Sequence, residues 1–244
     1  MSPMRYASEK RRALTAIFIV FLFIFSEILV AQNDHEQELG DSTLIGYSIY
    51  QYTTLSETHI QSDNPNTNYL SSSDTLIGEN ILTASESRGL YRFSNNLSNT
   101  VDSIIDAELS LTCNVNLEAN PGTPPQIYAA TIIANFAPNE VNWNEIADSI
   151  NWQTPGIDGS SDRTVWDVPS TSTLVAGTIR EYTLNVTKLA QTSLELGRNK
   201  FDFVLTTLGG ELSCFKNGNG NPNYDPLLTI NNFQGVPGNG GSAT

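Results

Sequence analysis

Arg88 and Arg92 are the residues of this sequence best suited to hold an anion. They belong to the run Ser87-Arg-Gly-Leu-Tyr-Arg-Phe93. In an extended strand alternate residues share a face, so Arg88, Leu90 and Arg92 point one way and Gly89, Tyr91 and Phe93 the other. Two guanidinium groups on one face could grip a uronate or a sulfate through paired N–H donors. They could equally be matched to carboxylates of the chain itself, because acidic residues outnumber basic ones 26 to 12. Lys216 is a further cation able to extend such a patch. Tyr69, Trp152 and Trp166 offer flat apolar faces for a sugar ring while leaving polar edges to bond hydroxyls. Trp152 and Trp166 flank the stretch Pro155-Gly-Ile-Asp-Gly-Ser-Ser-Asp162, a loop composition, and loops are where binding groups concentrate.

Oxygen donors cluster twice. Asp63, Asn64 and Asn66 lie within one short stretch, and Asp158 and Asp162 within another. Calcium takes roughly six to eight oxygens from carboxylate, amide and backbone groups, so either loop is a candidate for a structural calcium ion. Asn and Asp also bond their own backbone in turns, which explains the same residues without a metal. Cys113 and Cys214 are the only cysteines, enough for one bridge in an oxidising compartment and too few for a disulfide scaffold. Asn96-Leu-Ser98 and Asn185-Val-Thr187 match the glycosylation sequon. The inventory for catalysis is thin. No nucleophile elbow, zinc-protease helix, phosphate loop or Cys-x-x-Cys pair is present, and the carboxylates are too numerous to single out an acid–base couple. A non-catalytic role is expected.

At the amino end Arg5, Lys10, Arg11 and Arg12 precede the apolar run Ala16–Phe25, with Ala31 a small residue at a cleavage point. This is the layout of a secretory signal peptide over residues 1–31; a retained anchor is the other reading. Cleavage would leave 8 basic residues against 24 acidic ones, deepening the net charge of −14 carried by the 244-residue chain. Such a field repels nucleic acid and anionic membranes. Neither is expected as a partner, and no membrane contact is expected after signal cleavage. An extracellular setting, with attachment at a cell surface, follows from the leader.

The elements that must position these groups read as strands. Across Ala107-Glu-Leu-Ser-Leu-Thr-Cys-Asn-Val-Asn-Leu117 apolar residues alternate with polar ones, which gives a strand with one dry and one wet face and turns Cys113 inward. Arg180–Val186 and Lys200–Thr206 alternate in the same way. Only Thr187–Leu196 has a helical stripe, through Leu189, Leu194 and Leu196, with Gly197 as a stop. Many short strands, one short helix and turns rich in Asn, Gly, Pro and Ser indicate an all-β chain folded as an antiparallel two-sheet β-sandwich, jelly-roll-like. Residues 32–52 are expected as an acidic leader or linker, 53–233 as the sandwich and 234–244 as a flexible Gly-rich tail.

The order of the pieces carries a resemblance. The chain reads Thr58-His-Ile-Gln-Ser-Asp-Asn-Pro-Asn-Thr-Asn-Tyr69, Thr75-Leu-Ile-Gly78, Arg88–Phe93, Ile105–Leu111, Glu140-Val-Asn-Trp-Asn144, Leu184-Asn-Val-Thr187, Phe203-Val-Leu205 and Asp225-Pro-Leu-Leu-Thr-Ile230. Over residues 53–233 this resembles the DNRLRE, or disaggregatase-related, β-sandwich domains, which overlap with a family of carbohydrate-binding modules. Leu70 stands where that family often has Gly, Asn185 where Asp is usual, and Phe215-Lys216 where Arg- and Glu-containing residues are common. The segment Ile146–Thr178 is longer than the family pattern. The resemblance implies an extracellular jelly-roll-like module, with affinity in some members for acidic polysaccharide, and a core role for Trp143. The expectation is a secreted, non-catalytic carbohydrate-binding module for cell-surface or matrix polysaccharide. Its rival is a structural or adhesive subunit that self-assembles, or docks on a surface partner, through sheet edges.

Overall fold

The alternation over Ala107–Val115 produces the strand that organises one half of the sheet. In the computed structural model, which describes residues 46–97, 102–115, 123–167 and 169–234, this strand is β4 (Asp102–Val115). One edge of β4 pairs with β9 (Ile179–Asn185), which in turn pairs with β8 (Thr171–Ala176). Its other edge is shared by β12 (Leu227–Gln234) and β11 (Leu212–Phe215). The second half is built on β3 (Ser85–Ser94), flanked by β1 (Gly46–Gln61) and β10 (Lys200–Leu208), with β5 (Gln126–Thr131) beyond β10. All these ladders are antiparallel.

Two strands belong to both halves. The first part of β1 pairs with β12 and, after a register shift between Thr54 and Ser56, the rest pairs with β3. In β2 (Asp74–Asn80), residues 74–77 pair with β11 and 78–80 with β3. The changeover in β2 falls at Gly78, whose φ is +101°; a Cβ there would collide with Thr207 and the Gly210 carbonyl, so only glycine fits. Strand begins at Gly46, ahead of residue 53 where the sequence reading places the sandwich. Residues 46–52, expected as leader, are paired β1. The alternation there is obscured because apolar Tyr47 and Ile49 occupy the exposed face opposite buried Tyr52.

The inner faces of the two halves form a common core. Leu109, Leu111, Cys113, Tyr182, Leu184, Leu212, Leu228 and Ile230 meet Tyr91, Phe93, Ile127, Phe201, Phe203 and Leu205. Each fully buried phenylalanine contributes roughly 1.5–3 kcal/mol of hydrophobic free energy. Cys113 and Cys214, direct partners across β4 and β11, are joined by a disulfide. The helix α1 (Thr187–Glu195) closes one end by burying Leu189, Ala190 and Leu194, and Gly197 follows it with φ +66°. Leu196, assigned to the same stripe from sequence, is exposed.

A second core lies on the outer face of β3 and its neighbours. Ile60, Leu90, Ala130 and Val204 are covered by Phe136, Val141, Ile146, Trp152 and Ile157 from the long segment after β5, which includes the small hairpin β6 (Glu145–Ala147) and β7 (Ile150–Asn151). β3 is therefore buried on both faces. Residues 1–31, expected as a signal peptide, the leader residues 32–45 and the tail from 235 lie outside the described residues. No helix among the described residues is long and apolar enough to cross a membrane.

Candidate functional site

Arg88 and Arg92 do share a face of β3, as the alternation requires, but that face is the covered one. Arg92 sits against Asp202 of β10, its direct cross-strand neighbour, with Nε and Nη2 donating to the two carboxylate oxygens at 2.6 and 2.9 Å. Nη2 also donates to the Phe136 carbonyl at 3.1 Å, and the guanidinium lies 4.2 Å above the Phe136 ring. Arg88 donates to Glu86 and Asp158 at 2.7–2.9 Å and to the Gly156 carbonyl. The indoles of Trp143 and Trp166 lie 5.3 and 5.7 Å from its guanidinium carbon. Both arginines are buried. Of the two uses open to them, the structure shows pairing with the chain's own carboxylates, and neither presents a clamp to solvent.

The aromatics of that region are engaged in the same way. Trp152 is only 3% exposed, and its Nε1–H donates to the Asn142 carbonyl. Trp166 carries the Arg163 guanidinium 4.1 Å over its ring. Asp158 bridges Arg88 and Arg163. Its pKa is held below the usual carboxylate value, where burial opposes but the two guanidinium groups prevail. Asp162 accepts from the backbone N–H groups of Gln153, Thr154 and Gly159, fastening the loop on itself. The oxygens of Asp158 and Asp162 expected for calcium are thus committed to cations and amides of the chain. Asp63 and Asn64 lie in an exposed turn closed by Thr67 N–H on the Asn64 carbonyl, and Asn66 accepts from Asn144. Among the described residues no three His, Cys, Asp or Glu side chains converge.

The sequons also find places. Asn96 is exposed just past β3, and its Ser98 lies outside the described residues. Asn185 is exposed too, but its side-chain oxygen accepts from the Thr187 N–H at the start of α1.

A different part of the molecule forms an open groove of about 820 Å³. Its rim comes from Ser72, Ser73 and Asp74 at the start of β2 and from the loop after β11, Asn217-Gly-Asn-Gly-Asn221. Phe215 and Tyr224 stack beside it with ring centres 5.0 Å apart and planes 23° from parallel. Phe215 and Asp74 are direct cross-strand partners and so lie on one face. The loop is fastened by its own polar groups. Gly218 N–H donates to Asp225, Asn221 N–H to the Asn219 side-chain oxygen and Asn223 N–H to that of Asn221. The Asn219 and Asn221 oxygens are thereby used, leaving their amide N–H₂ groups as donors at the rim. A 3-10 turn over Pro222–Tyr224 then places the tyrosine. This composition, aromatic faces among neutral hydrogen-bonding groups in a concave surface, suits a hydroxyl-rich ligand.

Beneath the groove is a buried polar floor. Glu57 and His59, two apart on β1, face inward from the second half of the sheet. Asn217 N–H donates to both oxygens of Glu57 at 3.1 and 3.0 Å, and the Thr54 hydroxyl donates to one of them. Burial pushes the Glu57 pKa up to about 7, against the Asn217 N–H and Lys216, with Asp225 adding to the rise. Burial, helped by Lys216, pulls His59 down to about 4. Its ring stacks on Tyr69 with centres 4.3 Å apart, and its Nδ1 has no partner. Lys216 turns inward and donates to the Tyr69 and Leu70 carbonyls at 3.3 and 3.0 Å; burial lowers its pKa despite Glu57 and Asp74. Gly89 is the cross-strand partner of His59 and makes room for this floor. A Cβ there would fall 2.9 Å from Ile77 Cγ1 and 3.0 Å from Thr75 Cγ2.

Of the residues expected as ligand contacts, Lys216 lines the groove but turns its ammonium inward onto the Tyr69 and Leu70 carbonyls, and Tyr69 stacks on His59 in the floor. In the sequence Phe215 stands out only as a departure from a motif, and no motif marks Ser72, Ser73, Asp74 or Asn217–Asn221. The alternation of Asn and Gly from Asn217 to Asn221 is the one local signal that marks an exposed, tightly turned loop there. No family model matches the chain, and no curated protein matches it.

Proposed function

We propose that the chain is a secreted, non-catalytic module that binds polysaccharide at a cell surface or in matrix, through the groove beside Phe215 and Tyr224. The observation that carries this reading is the pairing of that aromatic stack with the unspent amide donors of Asn219 and Asn221 in one concave surface. The resemblance of the ordered motifs to DNRLRE domains supports it independently. A glycan array is the test, run with and without a chelator. Binding to a defined set of polysaccharides, lost on Tyr224→Ala or Phe215→Ala, is expected. Flat binding across all glycans counts against the proposal.

A second reading, assembly through sheet edges, has its own support. All six residues of β8 are exposed, and Thr171-Ser-Thr-Leu-Val-Ala176 has neither charge nor proline to discourage pairing of an edge strand. Sedimentation across a wide concentration range separates the two. Oligomers that dissolve on Leu174→Lys, together with a silent array, favour assembly.

A further inference from the structure

We infer that the groove selects neutral sugars and disfavours uronates and sulfated sugars. The inference rests on the polysaccharide reading above and narrows its ligand class.

Recognition of a sugar carboxylate is strengthened by a guanidinium or ammonium that donates charge-assisted hydrogen bonds to it, and a carboxylate held near other carboxylates is repelled. Among the described residues that line the groove, the one basic side chain is Lys216. It is turned inward onto the Tyr69 and Leu70 carbonyls and has Glu57 beside it. Arg88 and Arg92 are buried in ion pairs on the outer face of β3. What the groove does present is negative or neutral. Asp74 lines it and shares a face with Phe215, and Asp225 stands behind the loop, accepting from the Gly218 N–H. The chain's net charge of −14 adds a repulsive field for any polyanion. The amides of Asn219 and Asn221 and the hydroxyls of Ser72 and Ser73 match hydroxyl or N-acetyl groups, which need hydrogen bonds but no countercharge. The open stack of Phe215 and Tyr224 supplies the apolar face on which a pyranose ring lies.

Titration calorimetry of the full chain tests this, using hexasaccharides of glucose, galactose, mannose and N-acetylglucosamine against hexasaccharides of uronic acid, at low and high salt. At least one neutral hexasaccharide is expected to bind, about tenfold more weakly after Tyr224→Ala. Asn219→Ser, which removes the amide N–H₂ and keeps a side-chain oxygen for the Asn221 N–H in an exposed loop, is expected to weaken the same ligand. Uronate oligomers are expected to bind less well than neutral ones. Asp74→Asn should shift the ratio toward uronate by about fivefold at low salt, with the gain shrinking at high salt. If uronates bind more tightly than every neutral sugar, and still depend on Tyr224, the charge inference is overturned while polysaccharide binding stands. If no hexasaccharide binds, or if binding ignores both Tyr224→Ala and Asn219→Ser, the groove reading fails and this inference falls with it.

Discussion

Replacing Glu57 with glutamine is expected to stabilise the protein at neutral and alkaline pH and to leave it unchanged in acid. In the folded chain the Glu57 pKa is raised from 4.5 to about 7, chiefly by burial. A group whose folded pKa is raised contributes stability that is full below its unfolded value and is lost as pH rises through the folded one. The loss therefore runs from pH 4.5 to about 7 and, with each pH unit worth about 1.4 kcal/mol, amounts to roughly 3 kcal/mol. A glutamine side chain cannot ionise and still offers an oxygen to the Asn217 N–H, so the Glu57→Gln variant escapes that loss. His59 supplies the opposite slope. Its pKa falls from 6.5 to about 4, so its contribution is full above 6.5 and is lost as pH drops toward 4, again by roughly 3 kcal/mol. Between about pH 4.5 and 6.5 the two slopes oppose each other, and the wild-type profile from this pair is nearly flat. His59→Phe keeps a ring for Tyr69 and removes a buried nitrogen that has no partner. It should be at least as stable as wild type at pH 7 and exceed it by a wider margin at pH 4. Urea unfolding followed by tryptophan fluorescence at pH 4, 5, 6, 7 and 8 measures both differences. Stability profiles for wild type and Glu57→Gln that stay parallel over this range would refute the reasoning.

Two further interactions, one ion pair and one disulfide, can be probed for what holds the fold. Arg92→Met strands the Asp202 carboxylate, only 8% exposed, without its partner, and should cost about 3–5 kcal/mol in equilibrium unfolding. The double change Arg92→Met with Asp202→Leu should recover most of that loss, and a single variant costing under about 1 kcal/mol would contradict the pairing. The disulfide between Cys113 and Cys214 closes a separation of 101 residues. Its removal by Cys113→Ala with Cys214→Ala should lower stability by up to about 4–5 kcal/mol in the chain-entropy picture, read as a lower urea midpoint than that of the oxidised wild type.

The β class was readable from composition and alternation, because a strand with one wet face writes its period directly into the sequence. β4 is the clearest instance. The fates of Arg88 and Arg92 were not readable. Alternation places two residues on one face but does not say whether that face meets water, and here the outer face of β3 is covered by residues from the long segment after β5. Trp152 and Asp162 are drawn into that cover for the same reason: a loop composition does not reveal that the loop packs.

The sequence alone determines that the chain makes strands with one dry and one wet face, turns Cys113 inward and carries few cations among many carboxylates. Tertiary structure alone decides which carboxylate meets which arginine, since Arg92 and Asp202 become neighbours only when β3 and β10 pair. It also decides that Ser72–Asp74 and the loop from Asn217 form a single groove, because β2 and β11 bring them together from distant parts of the chain. The physical reason is common to both cases. Hydrophobic periodicity is a local property encoded residue by residue, whereas pairing and concavity arise from strand register, which is set only when both faces of the sheet find their cover.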